Sequence, residues 1–245
     1  MSGPVTNIGD RAVTKLRYVA YGAISTASLG YGEQIFRLNS CFDPDYSGAG
    51  AQPLGFDQWA AFYSRYKVLS VKAKCQFAAP TSLAESIVSL TPNLVNTIDN
   101  SGVNILAEPY SRNSIFSTNG GWKPVIDAEY DLAKIFGLTK EEYGEESYTA
   151  ASSGSPANVA YLHVRVDTAS GGLSGSVYYL LEMEFHVEFY QRVELELSLW
   201  GEFVKFRSDK EKKPQEVVPV SSQNPPVKVQ DEKDVKELLN RLLNK

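Results

Sequence analysis

The residues best suited to acid–base chemistry are two histidines, His163 and His186, and both occupy polar positions of alternating segments. A catalytic imidazole needs a nucleophile or a carboxylate held beside it. The sequence contains no GxSxG, HExxH, CxxC or GxxxxGK[ST] motif, and no spacing singles out a pair among its 29 acidic residues. We therefore predict no catalytic residue, no organic cofactor and no enzyme activity, with both histidines in solvent or at an interface.

Asp43 and Asp45 are the residues whose spacing most resembles a metal site. They flank Pro44 in an acidic, Gly-rich loop, and carboxylate oxygens are the ligands that Ca²⁺ prefers. An ordinary turn built on Asp and Pro explains the same residues without a metal. We expect the turn, and we keep a calcium ion shared between subunits as the alternative interpretation.

Basic residues on strands are the candidates for contact with nucleic acid, because phosphate groups bind Lys and Arg. The candidates are Arg11, Lys15 and Arg17 near the N-terminus and Lys72 and Lys74 on the polar side of one strand. Strong binding is opposed by a net charge of −5 and by a row of acidic residues on the last long strand, namely Glu182, Glu184, Glu188, Glu194 and Glu196. We predict weak contact with nucleic acid, and we expect the acidic row to face a neighbouring subunit or the exterior.

Most of these residues are predicted to lie on β-strands. Apolar and polar residues alternate over residues 69–77, with Leu69, Val71, Ala73, Cys75 and Phe77 on one side, and over 125–131, 159–167 and 177–199. Further strands are predicted at 11–28, 34–42 and 86–90, and residues 93–121 are expected to form a surface excursion. About eight antiparallel strands joined by Gly- and Pro-rich turns are typical of an all-β fold, here a single jelly-roll β-sandwich.

A short amphipathic helix is predicted between two of the strands. Phe56, Trp59, Ala60 and Tyr63 recur at the spacing that places them on one side of a helix, and Asp57 lies in the first turn, where the helix dipole favours an anion. We predict that Phe56, Trp59 and Tyr63 are core residues that anchor this inserted helix to the sheets.

The composition divides the chain into four parts. Residues 1–10 are expected to be a flexible arm, 11–207 one domain, and 208–230 a Pro-rich charged linker. Residues 231–245 form an amphipathic helix candidate with an apolar stripe, composed of Val235, Leu238, Leu239 and Leu242. A helix of about 14 residues is marginal alone in water, so the stripe is expected to need a partner surface. Residues 205–245 contain 10 Lys and Arg against 7 Asp and Glu, a net charge of +3.

Two further features limit the class of protein. The two cysteines, Cys41 and Cys75, are too few for a disulfide framework, and we expect both to be free thiols. No apolar run approaches the roughly 20 residues that cross a bilayer, so we expect a soluble protein, made in the cytosol, with no membrane insertion.

The chain also carries a set of short motifs. They are FRLNSCFDPD at 36–45, QPLGFDQW at 52–59, YSRYKV at 63–68, AEPYSRNSIF at 107–116, LAKIFGL at 132–138 and YTAASSGSPANVAYLHVRV at 148–166. As a set these motifs resemble the coat proteins of small viruses with circular single-stranded DNA genomes that encode their own replication initiator. The resemblance extends over about residues 22–191.

The resemblance implies a structural capsid subunit that self-assembles into a small icosahedral shell of sixty copies around viral single-stranded nucleic acid. The location would then be the virion, after synthesis in the host cytosol, with the host nucleus as a further location. The sequence departs from the family in lacking an Arg-rich N-terminal arm, and similar jelly rolls occur in RNA viruses, so the type of genome and the host receptor stay open. Two alternatives remain: a lectin-like or adhesin-like sandwich that binds a ligand through its long loops, and an enzyme on the same fold, such as a glycosidase.

Overall fold

The computed structural model describes residues 9–26, 30–78, 85–97, 106–116, 123–168 and 175–193. In this part of the chain nine strands form two antiparallel sheets. The strands are β1 (Arg11–Ser25), β2 (Tyr31–Arg37), β3 (Tyr63–Ala78), β4 (Ser86–Asn93), β5 (Arg112–Phe116), β6 (Val125–Asp131), β7 (Ala150–Ala151), β8 (Tyr161–Thr168) and β9 (Ser176–Arg192). Two short α-helices, α1 (Phe56–Ala60) and α2 (Leu132–Phe136), and two 3₁₀ turns (Glu142–Gly144 and Glu146–Tyr148) lie between strands.

The order of the strands defines the fold. Sheet A has the order β1-β9-β3-β6, with the short β7 also paired to β3, and sheet B has the order β2-β8-β4-β5. Each sheet thus combines strands from the beginning and the end of the domain. Eight long strands in two sheets, wound in this way, form a jelly roll, and the predicted all-β jelly-roll fold is confirmed.

The core lies between the inner faces of the two sheets. Phe36 of sheet B is fully buried and packs edge-on against Tyr18 and Tyr179 of sheet A, with ring centroids 6.4 and 6.2 Å apart. Tyr130 of β6 donates its hydroxyl hydrogen to the Leu90 carbonyl of β4 across the sandwich, at 3.3 Å. Because successive residues of a strand point to opposite sides, the polar residues that alternate with this core lie on the outer face of sheet A, away from sheet B.

A β-bulge in β3 explains why Leu69 departs from the predicted apolar side, whereas Val71, Ala73, Cys75 and Phe77 are buried as predicted. The register against β9 shifts between Val68 and Ser70, so that one extra residue, Leu69, falls between the two alternating halves. Such a bulge reverses the side on which residues lie. Val68 and Val71 are therefore both buried, while Leu69, predicted to lie with the apolar side, is only half-buried.

The inserted helix is shorter than its apolar stripe predicts. It ends at Ala60, and Tyr63 is the first residue of β3 rather than the last of the helix. Gly55 precedes the helix with a φ of 89°, a conformation that favours glycine. Phe56 and Tyr63 nevertheless pack in the same cluster, because the chain turns sharply between them.

Other boundaries differ from the predictions as well. β2 occupies Tyr31–Arg37 instead of 34–42, and an added Cβ at Gly32 would lie 2.1 Å from the Ser25 carbonyl oxygen, so the close approach of β1 and β2 requires glycine there. The predicted excursion at 93–121 includes β5. The last strand ends at Arg192 rather than at 199.

Three predicted segments lie outside the described residues. They are most of the N-terminal arm, the linker at 208–230, and the helix at 231–245 with Val235, Leu238, Leu239 and Leu242. Within the described part, no helix is long and apolar enough to span a bilayer.

Candidate functional site

All five basic candidates for nucleic-acid contact lie on the outer face of sheet A. Arg11, Lys15 and Arg17 occupy alternate positions of β1, and Lys72 and Lys74 occupy alternate positions of β3. Strand β9 lies between β1 and β3 and places its glutamates on the same face. The five residues therefore share a surface but do not form a continuous basic patch.

Carboxylates pair with most of these basic residues. Arg11 Nη1 lies 2.9 Å from Glu188 Oε1, Lys15 Nζ lies 2.8 Å from Glu184 Oε1, and Arg17 pairs with Glu182. Further along, Lys72 Nζ lies 3.7 Å from Glu129 Oε2 of β6. Lys74 stands in register between Glu182 and Asp127.

The charges on this face follow the strands in alternating columns. We call them the charge ladder, which consists of Arg11, Lys15 and Arg17 on β1, Glu182, Glu184 and Glu188 on β9, Lys67, Lys72 and Lys74 on β3, and Asp127, Glu129 and Asp131 on β6. Six basic and six acidic side chains give the ladder a net charge of zero. A polyanion would have to compete with internal carboxylates for five of the six cations, so the long-range attraction that drives phosphate binding is small.

The ladder also shifts the protonation of its members. The hydrogen bond with Glu184, followed by its charge, raises the pKa of Lys15, and the hydrogen bond from Lys15 lowers the pKa of Glu184. Burial opposes ionisation of Glu188, but the hydrogen bonds and charges of Arg11 and Lys67 together outweigh it, and the pKa of Glu188 is lowered. Glu182, Glu184 and Glu188 of the predicted acidic row therefore pair with basic columns of their own chain, while Glu194 and Glu196 lie outside the described residues.

The acidic column of β6 and Lys67 are the functional residues that the sequence analysis missed. Their signal was present, since each of the four strands carries one sign of charge at alternate positions. Only the strand order shows that basic and acidic strands are neighbours.

One end of the same face is apolar. Tyr21 is 86 % exposed and Tyr178 is 58 % exposed, and Val19, Leu180 and Val125 are also among the large exposed apolar residues. Tyr21 stands opposite Leu180 on β9, and Gln76 stands between Leu180 and Val125. We call these five apolar residues the apolar end of sheet A.

The Asp43–Asp45 loop is held by partners within the chain. Arg37 Nη1 donates to Asp43 Oδ2 at 2.7 Å and to the Asp43 and Asp45 carbonyls, both at 2.9 Å. Asp45 Oδ1 accepts from the backbone N–H and hydroxyl of Ser47 at 2.8 and 2.7 Å. These contacts are those of an Asp turn.

A calcium ion within a single chain does not fit this loop. Ca²⁺ takes six to eight oxygen ligands, whereas Asp43 already binds a guanidinium group, and no group of three or more His, Cys, Asp or Glu residues converges anywhere in the described part of the chain. A calcium ion shared between subunits stays a prediction. It would need oxygens from a neighbour, and a shift in thermal midpoint on adding CaCl₂ that is absent in Asp45→Asn tests it.

The two histidines have opposite environments. His186 lies on the outer face of sheet A, next to Lys15 in register, as its polar position predicts. His163 was predicted to lie in solvent or at an interface, but it is fully buried. Its Nδ1 lies 3.1 Å from Glu33 Oε2, and its Nε2 lies 3.0 Å from the Val95 carbonyl oxygen.

Arg165, two residues along β8, is also buried on the outer face of sheet B. Its guanidinium contacts both carboxylate oxygens of Asp167 at 2.8 to 3.1 Å and lies 4.0 Å from the centre of the Tyr31 ring. Sheet B is thus covered at His163 and Arg165, although Arg165 Nη1 and Ser89 Oγ, on the strand beside it, have no hydrogen-bond partner among the described residues. Thr91 stands opposite His163 in register, and its hydroxyl lies 2.9 Å from the Ser111 hydroxyl.

An aromatic cluster attaches α1 to the sandwich. Trp59 stacks on Phe189 of β9 at 5.7 Å with an interplanar angle of 17°, and Phe56 meets Tyr66 edge-on at 5.2 Å. Phe56 and Tyr63 are buried, and Trp59 is partly buried.

Cys41 and Cys75 are also buried, as free thiols, and burial raises the pKa of both.

Motif segments that are distant in the sequence meet beneath this cluster. Asn39 Nδ2 donates to the Asn158 carbonyl at 2.8 Å, and its Oδ1 accepts from Ala160 N–H at 3.0 Å. Ser40 Oγ lies 2.8 Å from Ser155 Oγ, and Tyr66 Oη donates to the Gly154 carbonyl at 2.9 Å. The motifs at 36–45, 63–68 and 148–166 therefore form one connected unit.

Comparison with known proteins gives only distant likenesses. No protein-family model and no curated protein matches the sequence. Among solved structures, a chain of Cocksfoot mottle virus is similar with a TM-score of 0.44 and 10 % identity, over 75 % of this chain and 97 % of that one. A chain of Mud crab tombus-like virus has a TM-score of 0.43 and 12 % identity, over 82 % and 91 %. The BFDV capsid protein, crystallised as a decamer, has a TM-score of 0.41 and 9 % identity, over 74 % and 100 %. Because these scores are low, the assignment of the fold rests on the strand order.

Proposed function

We propose that the protein is a structural capsid subunit that self-assembles into a small icosahedral shell around a viral genome. The observation that carries the proposal is the hydrogen-bonded unit formed by the motifs at 36–45, 63–68 and 148–166. These are the motifs that resemble viral coat proteins, and they join loops of a jelly roll, an architecture that capsid domains use. The motifs that resemble those of viral coat proteins are thus the segments joined by these hydrogen bonds.

Assembly is tested with the purified full chain. Sixty copies of a 27.0 kDa chain would form a particle of about 1.6 MDa, in keeping with closed symmetry. Sedimentation and negative-stain microscopy should show particles near this mass. A monodisperse monomer over a range of salt and pH would overturn the proposal, and a monomer that binds glycans would favour the lectin-like alternative instead.

Contact with the genome is proposed to be weak and sensitive to salt. Most of the basic candidates on sheet A are paired with carboxylates, so few counterions would be released when a phosphate binds. Binding of a single-stranded oligonucleotide should therefore be lost at moderate salt. Tight binding that is retained at high salt would contradict this.

The tail is proposed to serve assembly rather than packaging. Its stripe of Val235, Leu238, Leu239 and Leu242 is typical of a surface that contacts protein. Deleting residues 208–245 should weaken assembly more than it lowers the nucleic-acid content of particles. Truncated particles that assemble normally but contain no nucleic acid would assign the tail to the genome.

A further inference from the structure

We infer that the outer face of sheet A is a contact surface for a second copy of this chain, packed face to face about a two-fold axis that runs parallel to the strands. The inference rests on the proposed self-assembly and names a surface for it. It does not depend on whether the final assembly is a closed shell.

The apolar end is the first reason to expect a partner on this face. Tyr21 and Tyr178 are 86 % and 58 % exposed, and Val19 and Leu180 lie beside them. Val125 is exposed in the row of Tyr21, at the far edge of the sheet beyond Gln76. They come from three of the strands of one sheet. A contiguous group of exposed apolar side chains bordered by charges is typical of an interaction surface.

The order of the charges identifies the partner as another copy. Across the sheet the columns read basic on β1, acidic on β9, basic on β3 and acidic on β6. A two-fold axis parallel to the strands and midway across the sheet places β1 of one copy opposite β6 of the other, and β9 opposite β3. Every basic column then faces an acidic column.

The same operation also matches individual residues along the strands. Tyr21 and Val125 occupy one row of the sheet, joined through Leu180 and Gln76, and Arg17 and Glu129 occupy another, joined through Glu184 and Lys72. The axis brings Tyr21 of one copy over Val125 of the partner subunit, since both lie in the same row. It likewise brings Arg17 near Glu129 of the partner subunit.

Other symmetric arrangements lack this match. A two-fold axis in the plane of the face but perpendicular to the strands places each column opposite itself, basic on basic and acidic on acidic. Like charges held opposite each other disfavour a complex. The alternating columns therefore select one of the two simple face-to-face dimers.

The size of the face is sufficient for a stable contact. Its four long strands contain 15, 17, 16 and 7 residues. At about 3.3 Å per residue and about 4.8 Å between strands they cover on the order of 850 Å². Because the seven residues of β6 face only seven of β1 under this axis, on the order of 700 Å² overlaps, near the roughly 800 Å² that each partner buries in a standard interface. Sheets packed face to face align within about 30°, so the central rows of both copies stay in register.

The two parts of the face have different roles. The ladder is already paired within each chain, so new ion pairs add little affinity and mainly set the orientation. Burial of the apolar end supplies the affinity. Nucleic acid is a poorer occupant, because the ladder is neutral and Glu182 lies in the next row of β9, diagonal to Tyr21.

A cysteine pair tests the geometry. In the double variant Tyr21→Cys/Val125→Cys the two thiols of one chain lie three strand spacings apart, about 14 Å, beyond the roughly 7 Å that a disulfide spans. The native Cys41 and Cys75 are buried. Mild oxidation should therefore yield a disulfide-linked dimer as the main product of the double variant, with at least about tenfold less from either single variant.

An affinity measurement complements the cross-link. Tyr21→Asp should raise the dissociation constant of the dimer at least about tenfold. Leu54→Asp is the matched control, because Leu54 is 87 % exposed and lies outside sheet A, and it should leave the constant unchanged. Sedimentation equilibrium measures both, and circular dichroism checks that each variant is folded.

The outcomes separate this inference from the proposed function. A cross-linked dimer that never forms particles supports the inference and contradicts the shell. Particles that form normally with Tyr21→Asp, without cross-linking of the double variant, overturn the inference and leave the shell standing. Efficient cross-linking of Tyr21→Cys alone overturns it, because that product requires the other axis.

A third measurement decides between protein and nucleic acid. A fluorescent 30-mer of deoxythymidine is titrated with wild-type protein, Tyr21→Asp and Leu54→Asp. Equal weak binding by all three supports the inference. A tenfold loss of binding confined to Tyr21→Asp, in a protein that shows no dimer, would assign the face to unpaired bases instead.

Discussion

The outer faces of the two sheets carry similar sequence patterns but meet different surroundings. On sheet A, Arg17 and Lys72 are exposed and pair with neighbouring carboxylates at the surface. On sheet B, His163 and Arg165 occupy equivalent alternating positions, and both are fully buried. Alternation therefore predicts which residues share a face, but it does not predict whether that face is covered.

The covering of sheet B has a local cause. The chain after β4 contacts the face, so that the Val95 carbonyl meets His163, and the Tyr31 ring of β2 lies over Arg165. Buried polar groups need partners, and Glu33 and Asp167 provide them. The same residue types thus stabilise the fold on sheet B and remain available for contacts on sheet A.

The largest expected difference between the faces concerns the two arginines. Arg165→Met leaves Asp167 buried without its partner and should cost about 3–5 kcal/mol of unfolding free energy. Arg17→Met, the matched change on sheet A, should cost at most about 1 kcal/mol. Urea unfolding of the unassembled protein measures both.

A second variant distinguishes the lost ion pair from a general disturbance of the strand. The double change Arg165→Met/Asp167→Leu removes both charges, so it should recover part of the loss. Equal costs for Arg165→Met and Arg17→Met would show that the outer face of sheet B is open to water.

The histidines provide the next comparison. His163→Ala removes the ring that lies within hydrogen-bond distance of the Glu33 carboxylate and the Val95 carbonyl and should cost about 1–3 kcal/mol. His186→Ala on sheet A should stay within about 0.5 kcal/mol. Hydrogen exchange should also show faster opening of residues 94–97 in His163→Ala, and unchanged exchange there would mean that His163 does not hold this segment.

The parts of the fold that sequence predicted well are those where local pattern and environment agree. The predicted bounds of Val125–Asp131 match the observed strand, because Ile126, Ala128 and Tyr130 face inward and its acids face outward. In the strand predicted at 11–28, Leu16 and Tyr18 alternate with Lys15 and Arg17, and both are buried. In these strands the apolar or polar type of each residue matches its position on the inner or outer face.

The failures have physical causes that no local pattern reveals. A single bulge residue, Leu69, reverses the phase of β3 against β9. Tyr63 fits a helical stripe but joins β3, because pairing with β9 outweighs helix propensity over so short a segment. The five basic candidates were identified individually, but their neutralisation by β9 and β6 depends on a strand order that brings distant segments together.

A smaller effect is expected from Glu188, which joins two basic columns of the ladder. It contacts Arg11 at 2.9 Å and Lys67 at 3.2 Å, and its side chain is largely buried by them. Glu188→Gln should cost about 1 kcal/mol at neutral pH, since it leaves two cations without a counter-charge. Raising the salt concentration should reduce this difference, whereas a cost that does not respond to salt would point to packing rather than charge.

The smallest expected effect is the response of the ladder to acid. The pKa values of Glu184 and Glu188 are lowered in the folded protein from an ordinary value of 4.5. Their contribution to stability is therefore fully present above about pH 4.5 and is lost as the pH falls through the lower, folded pKa values.

Lys15 gives the opposite dependence at the basic end. Its pKa is raised above 10.5 by Glu184, so its contribution is present below pH 10.5 and is lost as the pH rises through the folded value. Between these limits, unfolding free energy attributable to the ladder should be independent of pH. Thermal midpoints of wild type and the double variant Glu184→Gln/Glu188→Gln should therefore differ at pH 7 and converge as the pH falls below 4.5 through the folded pKa values. If the difference persists undiminished at pH 3, ionisation of the two carboxylates does not cause it. The ladder would then not distinguish the exposed face of sheet A from the covered face of sheet B.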